Sequence, residues 1–186
     1  MNQQMPLSYL TRVAVPLEQT VQVKNEGPYF EDVEVGFELR LQKPPITRLQ
    51  IGQFATASGD LNPSHVDEDI ARDQGGMGGV FAHGMLGMGM IGQMLTDWLW
   101  DRPLRMFSTR AVIIVRPGDS LTCYGRVTRR WVENDDNLVE LEIGARNQAG
   151  NVTHHGRAIA VLPHRPIAVH PDSVKNPYLL QHRIIG

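Results

Sequence analysis

The order of apolar and polar positions divides the chain into segments of different texture. Residues 1–28 mix small apolar groups with Pro6, Pro16, Gly27 and Pro28, the pattern of an arm ahead of a compact body. From residue 29 the text becomes domain-like. Residues 37–41 alternate, with Phe37, Leu39 and Leu41 set against Glu38 and Arg40, which predicts a half-buried strand ended by Pro44-Pro45. A helix is predicted directly after it: Thr47 and Gln50 have capping-box spacing, Ile51, Phe54, Ala55 and Ser58 share one helical face, and Gly59 supplies a stop. Asn62-Pro63 turns the chain, and Asp67-Glu68-Asp69 reads as the acidic first turn of a short second helix. Gly75-Gly76-Met77-Gly78-Gly79 reads as loop. A third helix is expected to start at His83-Gly84; residues 85–100 are apolar nearly all round, which predicts burial on most sides.

Beyond that helix the period changes from helical to alternating. Residues 107–115, 120–131, 138–146 and 152–162 are strand-like, separated by Pro117-Gly118-Asp119, Asn134-Asp135-Asp136-Asn137 and Gln148-Ala149-Gly150-Asn151. The expectation is an antiparallel meander. In its third strand Leu141, Ile143 and Ala145 oppose Glu140, Glu142, Gly144 and Arg146, so one face of the sheet meets a core. A long apolar helix followed by such a sheet is an α+β arrangement with the sheet wrapped on the helix. The chain thus divides into an arm (1–28), a body (29–162) and a C-terminal tail (163–186), without internal repeats.

Composition narrows the classes. The 186 residues are 41% hydrophobic and 20% charged, the balance of one ordinary domain with a real core. A net charge of -2, with both signs spread along the chain, offers no basic stripe for phosphate backbones, so no nucleic-acid partner is expected. Cys123 is the only cysteine, which rules out an internal disulfide and a Cys-based zinc cluster and fits a reducing cytoplasm. Residues 1–16 lack the charged start and apolar core of a secretory signal. Residues 77–95 approach spanning length but carry His83, Gln93 and many glycines, which fits a buried helix better than a membrane segment.

The candidate chemistry lies in Ser58-Gly59-Asp60-Leu61-Asn62-Pro63-Ser64-His65. Asp60 and His65 fall in a turn between helices, where a carboxylate and an imidazole can meet around one water. Taken alone, Asp60 reads first as a helix cap or an acceptor for turn amides, and His65 as an ordinary loop residue. The surrounding text changes that reading. The run 54–65 resembles the signature of MaoC-like, type 2 (R)-specific enoyl-CoA hydratases. Phe30-Glu31-Asp32-Val33-Glu34-Val35-Gly36 is similar to the family's opening region, Ala82-His83-Gly84-Met85-Leu86 to the start of its central helix, and Arg116-Pro117-Gly118-Asp119 to a later turn. The matches follow the family's order over residues 29–162.

The resemblance implies a hot-dog fold, in which a long central helix is wrapped by a curved antiparallel sheet. It implies reversible hydration of a trans-2-enoyl-CoA to a (3R)-3-hydroxyacyl-CoA, with Asp60 and His65 activating water and Asn62 positioning the pair. The backbone N–H of Gly84 is expected to bond the thioester oxygen, where charge develops as water attacks C3. Ser64, His83 and Met85 are candidates for substrate contact, although a helix-start histidine bonded to backbone is the more ordinary role for His83. No cofactor and no metal are implied; the thioester of CoA or of acyl carrier protein is itself the substrate. A homodimer or higher homo-oligomer, or a heteromeric pair of hot-dog chains, is implied as the assembly. The alternatives are 3-hydroxyacyl-carrier-protein dehydration by the same residues in reverse, a non-catalytic acyl-thioester-binding subunit, and a thioesterase.

Two positions depart from the family's pattern. Ser64 stands where an aliphatic residue is usual, and Gly92 where some relatives carry serine near the water; both read as adding room or polarity to the pocket. Other motifs are decoys. Gly87-Met88-Gly89-Met90-Ile91-Gly92 has dinucleotide-loop spacing without the preceding strand or a following acidic ribose ligand, so close packing of sheet on helix is the expected reason for its glycines. Methionines 77, 85, 88, 90 and 94 suit adaptable core or acyl-pocket lining. His154-His155 should point to opposite faces of a strand and so cannot share an ion. Trp98, Trp100 and Trp131 suit core or subunit cover. Arg105, Arg110 and Arg116 are candidate phosphate contacts, with structural roles the more ordinary reading.

Overall fold

The computed structural model describes residues 26–74 and 77–166. The predicted arm, apart from residues 26–28, the pair Gly75-Gly76 and the tail beyond Pro166 lie outside the described residues. The order of elements is β1 (Glu38–Lys43), α1 (Arg48–Ser58), α2 (Gly84–Leu99), β2 (Leu104–Ala111), β3 (Leu121–Glu133), β4 (Asp136–Asn147) and β5 (Val152–Val161). Short 3₁₀ turns at Phe30–Asp32 and Pro63–His65 and a π-helical turn at Ile70–Gln74 complete it.

Local signals act where the sequence places them. The Thr47 hydroxyl accepts from the Gln50 N–H at 3.1 Å and starts α1, although the return bond from the Gln50 side chain is not made. Gly59 ends the helix with φ 76°, and its N–H reaches the Ala55 carbonyl, a left-handed cap that glycine adopts without steric cost. The acidic run 67–69 heads a single π-helical turn rather than a helix, with Asp67 Oδ1 accepting the Ile70 N–H at 2.9 Å. Asn134 and Asp135 both have positive φ (50° and 65°), the two-residue turn that matches the twist of the β3–β4 hairpin.

The five strands form one antiparallel sheet in the order β1-β3-β4-β5-β2. α2 packs against all five, so the sheet curves around it as in the hot-dog fold. Leu141, Ile143 and Ala145 of β4 are fully buried beneath the helix, as their alternation predicts. Leu141 and Ile143 each contribute about 1.5–3 kcal/mol when removed from water.

Two expectations are corrected. The predicted meander holds only for β3-β4-β5; β2 pairs with β5 on the far edge instead of with β3. β2 also stops at Ala111. The segment 112–120 is too long for a hairpin, and its backbone instead ties the helix entries together: Ala82 N–H donates to Val115 O, Gly118 N–H to Ile46 O and Ile46 N–H to Asp119 O, each at 2.8 Å. Second, α2 is not buried on most sides. Leu86, Met90, Ile91, Met94, Leu95 and Leu99 are buried, while Met85, Gly89, Gln93 and Asp97 are exposed, because a single sheet covers only one side of a helix.

Candidate active site

The loop after α1 is held by its own side chains. Asp60 Oδ1 accepts the Asn62 N–H at 3.3 Å, and Asn62 Oδ1 accepts the Ser64 N–H at 3.1 Å. Asn62 thereby caps the 3₁₀ turn Pro63–His65, whose first position suits proline because its missing N–H is not needed there. The turn presents His65 inward. Its ring is buried while the Asp60 side chain is about half exposed, and His65 Nε2 lies 3.9 Å from Asp60 Oδ2. That separation is too long for a direct hydrogen bond.

The tautomer of His65 follows from its other contact. Nδ1 lies 2.9 Å from the Phe81 carbonyl, which can only accept, so Nδ1 carries the hydrogen and the neutral ring keeps a bare lone pair on Nε2 beside the carboxylate. The Phe81 ring meets His65 edge-on with centroids 4.6 Å apart.

The chain then runs from Phe81 to the start of α2, at the far side of the same site. His83 is 2% exposed, stacks on His65 with centroids 3.7 Å apart and 29° between planes, and donates from Nε2 to the Asp60 carbonyl at 3.1 Å. Gly84 follows as the first residue of α2. An N–H in that position has no carbonyl of its own helix to bond and faces the positive end of the helix dipole. A cavity of about 190 Å³ adjoins it, lined by His83, Gly84, His154, Ile46, Leu121 and the apolar run 111–115; Asp60 and His65 stand outside its lining.

Asp60, His65 and His83 offer donor atoms within 4.8 Å of one another, the spacing of a metal site. His83 Nε2 is engaged with the Asp60 carbonyl and His65 Nδ1 with that of Phe81, so His65 Nε2 and His83 Nδ1 are the ring nitrogens left open there.

The remaining sequence candidates divide. Asp60, Asn62, His65, His83 and Gly84 come together. Ser64 borders the loop, joined to it by its backbone bond to Asn62. Met85, a candidate for substrate contact, is 61% exposed and absent from the cavity lining, and Gly92, read as adding room, lies outside that lining beside Phe107, one of whose ring atoms would sit 3.6 Å from an added Cβ. Among the candidate methionines, Met90 and Met94 are core, whereas Met77 and Met85 are exposed. Trp98 stacks on Phe37, Trp131 lies under the Arg129 guanidinium, and Trp100 is exposed. Arg116 is structural, donating to the carbonyls of Met77, Gly79 and Val80, and Arg105 pairs with Asp136 at 2.5 Å. Arg110 is exposed and makes no side-chain hydrogen bond or ion pair among the described residues.

Sequence reasoning missed His154. His154 and His155 do point to opposite faces, but His154 is not merely a strand residue. It is buried under the start of α2, with Nε2 3.1 Å from Gly84 O and Nδ1 3.1 Å from Thr153 Oγ1. Burial pushes its pKa down, against the weaker upward pull of its bond to the Gly84 carbonyl. Its ring occupies the space above Gly87: a Cβ there would lie 2.3 Å from Cε1. Of the three glycines in the dinucleotide-like run, then, only Gly87 is required by close packing; Gly89 faces open space.

Comparison with known proteins follows the same geometry. Residues 32–148, more than half of the chain, match the family model described as MaoC like domain. A curated (R)-specific enoyl-CoA hydratase of Rhodospirillum rubrum is 33% identical over 144 residues, covering 74% of this chain and 93% of the relative. The (R)-hydratase from A. caviae involved in PHA biosynthesis superimposes with a TM-score of 0.64 at 26% identity, covering 72% of this chain and 99% of that one. An R-hydratase from Pseudomonas aeruginosa in the unliganded form gives a TM-score of 0.65 at 25% identity, covering 77% of this chain and 93% of that one. No helix among the described residues is long and apolar enough to cross a membrane.

Proposed function

The chain belongs to the MaoC-like domain family, and from that premise we propose that it hydrates a trans-2-enoyl-CoA reversibly to a (3R)-3-hydroxyacyl-CoA, a hydro-lyase reaction. The observation that carries the reading is the bare Nε2 of a buried, singly bonded His65 held 3.9 Å from Asp60 Oδ2. Two acceptors at that separation can share one water, each within hydrogen-bond reach. Nε2 is the lone pair placed to take the proton as water adds to C3, and the Asp60 carboxylate offsets the charge of the imidazolium; the pair then returns a proton to C2. They act as one coupled unit.

Water attack pushes charge onto the thioester oxygen. The Gly84 N–H, fixed at the positive end of a 16-residue helix, meets that charge, and the absence of a side chain lets the ligand approach the backbone. The neighbouring apolar cavity accommodates acyl carbons. Asn62 acts by holding the loop in register.

The proposed assembly is a pairing of hot-dog chains, and the sheet edge supports it. β2 is an edge strand, and it runs into the exposed Val112, Ile113 and Ile114, an apolar edge that a second copy or a related hot-dog chain would cover.

The test is turnover of enoyl-CoAs of varied length, followed by loss of the conjugated double bond. Asp60→Asn and His65→Ala are expected to lose about 10²–10⁴-fold in kcat/KM while melting like the parent protein. Unchanged hydration by both variants would refute the assignment. Faster turnover on the carrier-protein thioester than on the CoA thioester would select the dehydratase reading, and acyl-CoA binding without turnover would select the non-catalytic subunit.

A further inference from the structure

His83 has three contacts that no single structural role requires, and they converge on the proposed machinery. Its Nε2–H donates to the backbone carbonyl of Asp60 at 3.1 Å, its face lies on the His65 ring at 3.7 Å, and its own backbone is the N-cap of α2, one residue before Gly84. Phe54 of α1 also packs against it, with centroids 5.0 Å apart and the planes tilted by 54°. The ring therefore spans from the acid-base loop to the helix start across 23 residues of sequence.

We propose that His83 is a positioning residue: an imidazole wedge that fixes the spacing between the Asp60/His65 pair and the Gly84 N–H. The inference rests on the hydratase reading for its kinetic consequence, but its structural content stands apart from it. The bond to a carbonyl demands hydrogen on Nε2. Nδ1 is then a bare nitrogen, and it is buried without a hydrogen-bond partner. A proton placed there would have no acceptor and would set a positive charge against the face of His65, which must itself become an imidazolium during the reaction. When His65 takes its proton, the aromatic face of His83 is a polarisable surface for the new cation, in the manner of other cation-aromatic contacts.

Base and oxyanion donor come from different elements, α1's exit loop and the start of α2. In enzymes a misplacement of about 1 Å between such groups can cost about 100-fold in rate. No backbone hydrogen bond joins residues 60–65 to residues 83–84; His65 Nδ1 ties the loop to the Phe81 carbonyl just upstream, and the His83 ring adds the contact that reaches the residue next to Gly84.

The test uses the full chain with His83→Ala and His83→Gln. Glutamine keeps a donor at comparable reach but not the stacked ring. His83→Ala is expected to lower kcat by about 10–100-fold with KM changed less than about threefold, and His83→Gln to recover part of that loss. A residue that merely stabilises the fold would lower the melting temperature and leave kcat per folded molecule at the parent value, and that result would overturn the proposal. Histidine side-chain NMR on the ¹⁵N-labelled protein gives a second readout independent of turnover. The parent protein should show His83 as the Nε2–H tautomer and His65 as the Nδ1–H tautomer, the latter becoming averaged in His83→Ala. Unaltered His65 signals in a folded His83→Ala would equally overturn it. If the parent hydrates no enoyl thioester yet gives the expected tautomers and their averaging, the functional reading fails and the wedge stands.

Discussion

Substituting Gly87 by alanine puts the packing beneath the site to a quantitative test. In an ordinary helix interior the change stabilises by about 1 kcal/mol, because alanine loses less backbone freedom on folding. Here the new methyl would lie 2.3 Å from His154 Cε1, 2.5 Å from Nε2 and 3.0 Å from Nδ1. The imidazole must move, and it cannot do so without giving up its bond to Gly84 O at 3.1 Å. Overpacking a filled site costs about 1–3 kcal/mol. Leaving a buried N–H without its acceptor costs a further 1–3 kcal/mol, roughly. Against the propensity gain, the net is a destabilisation of about 1–5 kcal/mol. Gly89, two residues on in the same helix, faces open space, so Gly89→Ala should gain up to about 1 kcal/mol. Urea denaturation at constant m-value reads both as shifts of midpoint in opposite directions. At about 2–4 °C per kcal/mol for a chain of this size, the melting temperature of Gly87→Ala should fall by about 10 °C near the middle of that range. On the proposed mechanism the Gly87 variant should also lose turnover, because the displaced ring no longer supports Gly84, whose N–H is the proposed oxyanion donor. A Gly87→Ala protein as stable as its parent would refute the reasoning.

Three further outcomes are expected. Thr47→Ala removes the hydroxyl that accepts the Gln50 N–H and should cost about 1 kcal/mol of stability in chemical denaturation; no change would show that α1 is capped by other means. Burial lowers the pKa of His154 below its ordinary 6.5, so as pH falls through that value the unfolded chain binds a proton before the folded one and stability declines. Denaturation midpoints measured from pH 7.5 downwards, roughly to pH 5.5, should therefore fall more steeply for the parent than for His154→Gln, and identical slopes would contradict the assignment. Burial pushes the Cys123 thiol up to about 11, so it should resist alkylation near neutral pH in the folded protein and react on denaturation.

Much of the site was legible in the sequence because it is made of local devices. Asp60, Asn62 and His65 sit within six positions, and the loop that holds them is built from side chain to backbone bonds spanning only two residues each. The glycine stop, the threonine cap and the two-residue turn at Asn134-Asp135 are likewise encoded where they act, since left-handed φ values and unpaired helix amides select residue types at single positions. The alternation in β4 named its buried face correctly for the same reason: a period of two is a property of the strand itself. Family resemblance then turned two ordinary loop residues into a candidate pair.

Position along the chain alone could not reveal which strands become neighbours. Three strands separated by tight turns pair in sequence order, but β2 is followed by a segment whose backbone hydrogen bonds go to Ile46 and Ala82, and only the closed sheet shows that its partner is β5. The same holds for α2, whose letters are apolar on every side although one sheet can cover only one of them. His154 entered the site because the sheet brings it beneath a helix start 70 residues earlier, and His83 gained its meaning from lying on a ring that the sequence places 18 positions away. The sequence by itself determined the caps, the turns and the buried face of a strand, and with the family resemblance it pointed to Asp60 and His65 as the candidate pair. Tertiary structure decided strand order, the protonated nitrogen of His65 and the wedge that aligns it with Gly84, because each depends on contacts between segments that no local propensity specifies.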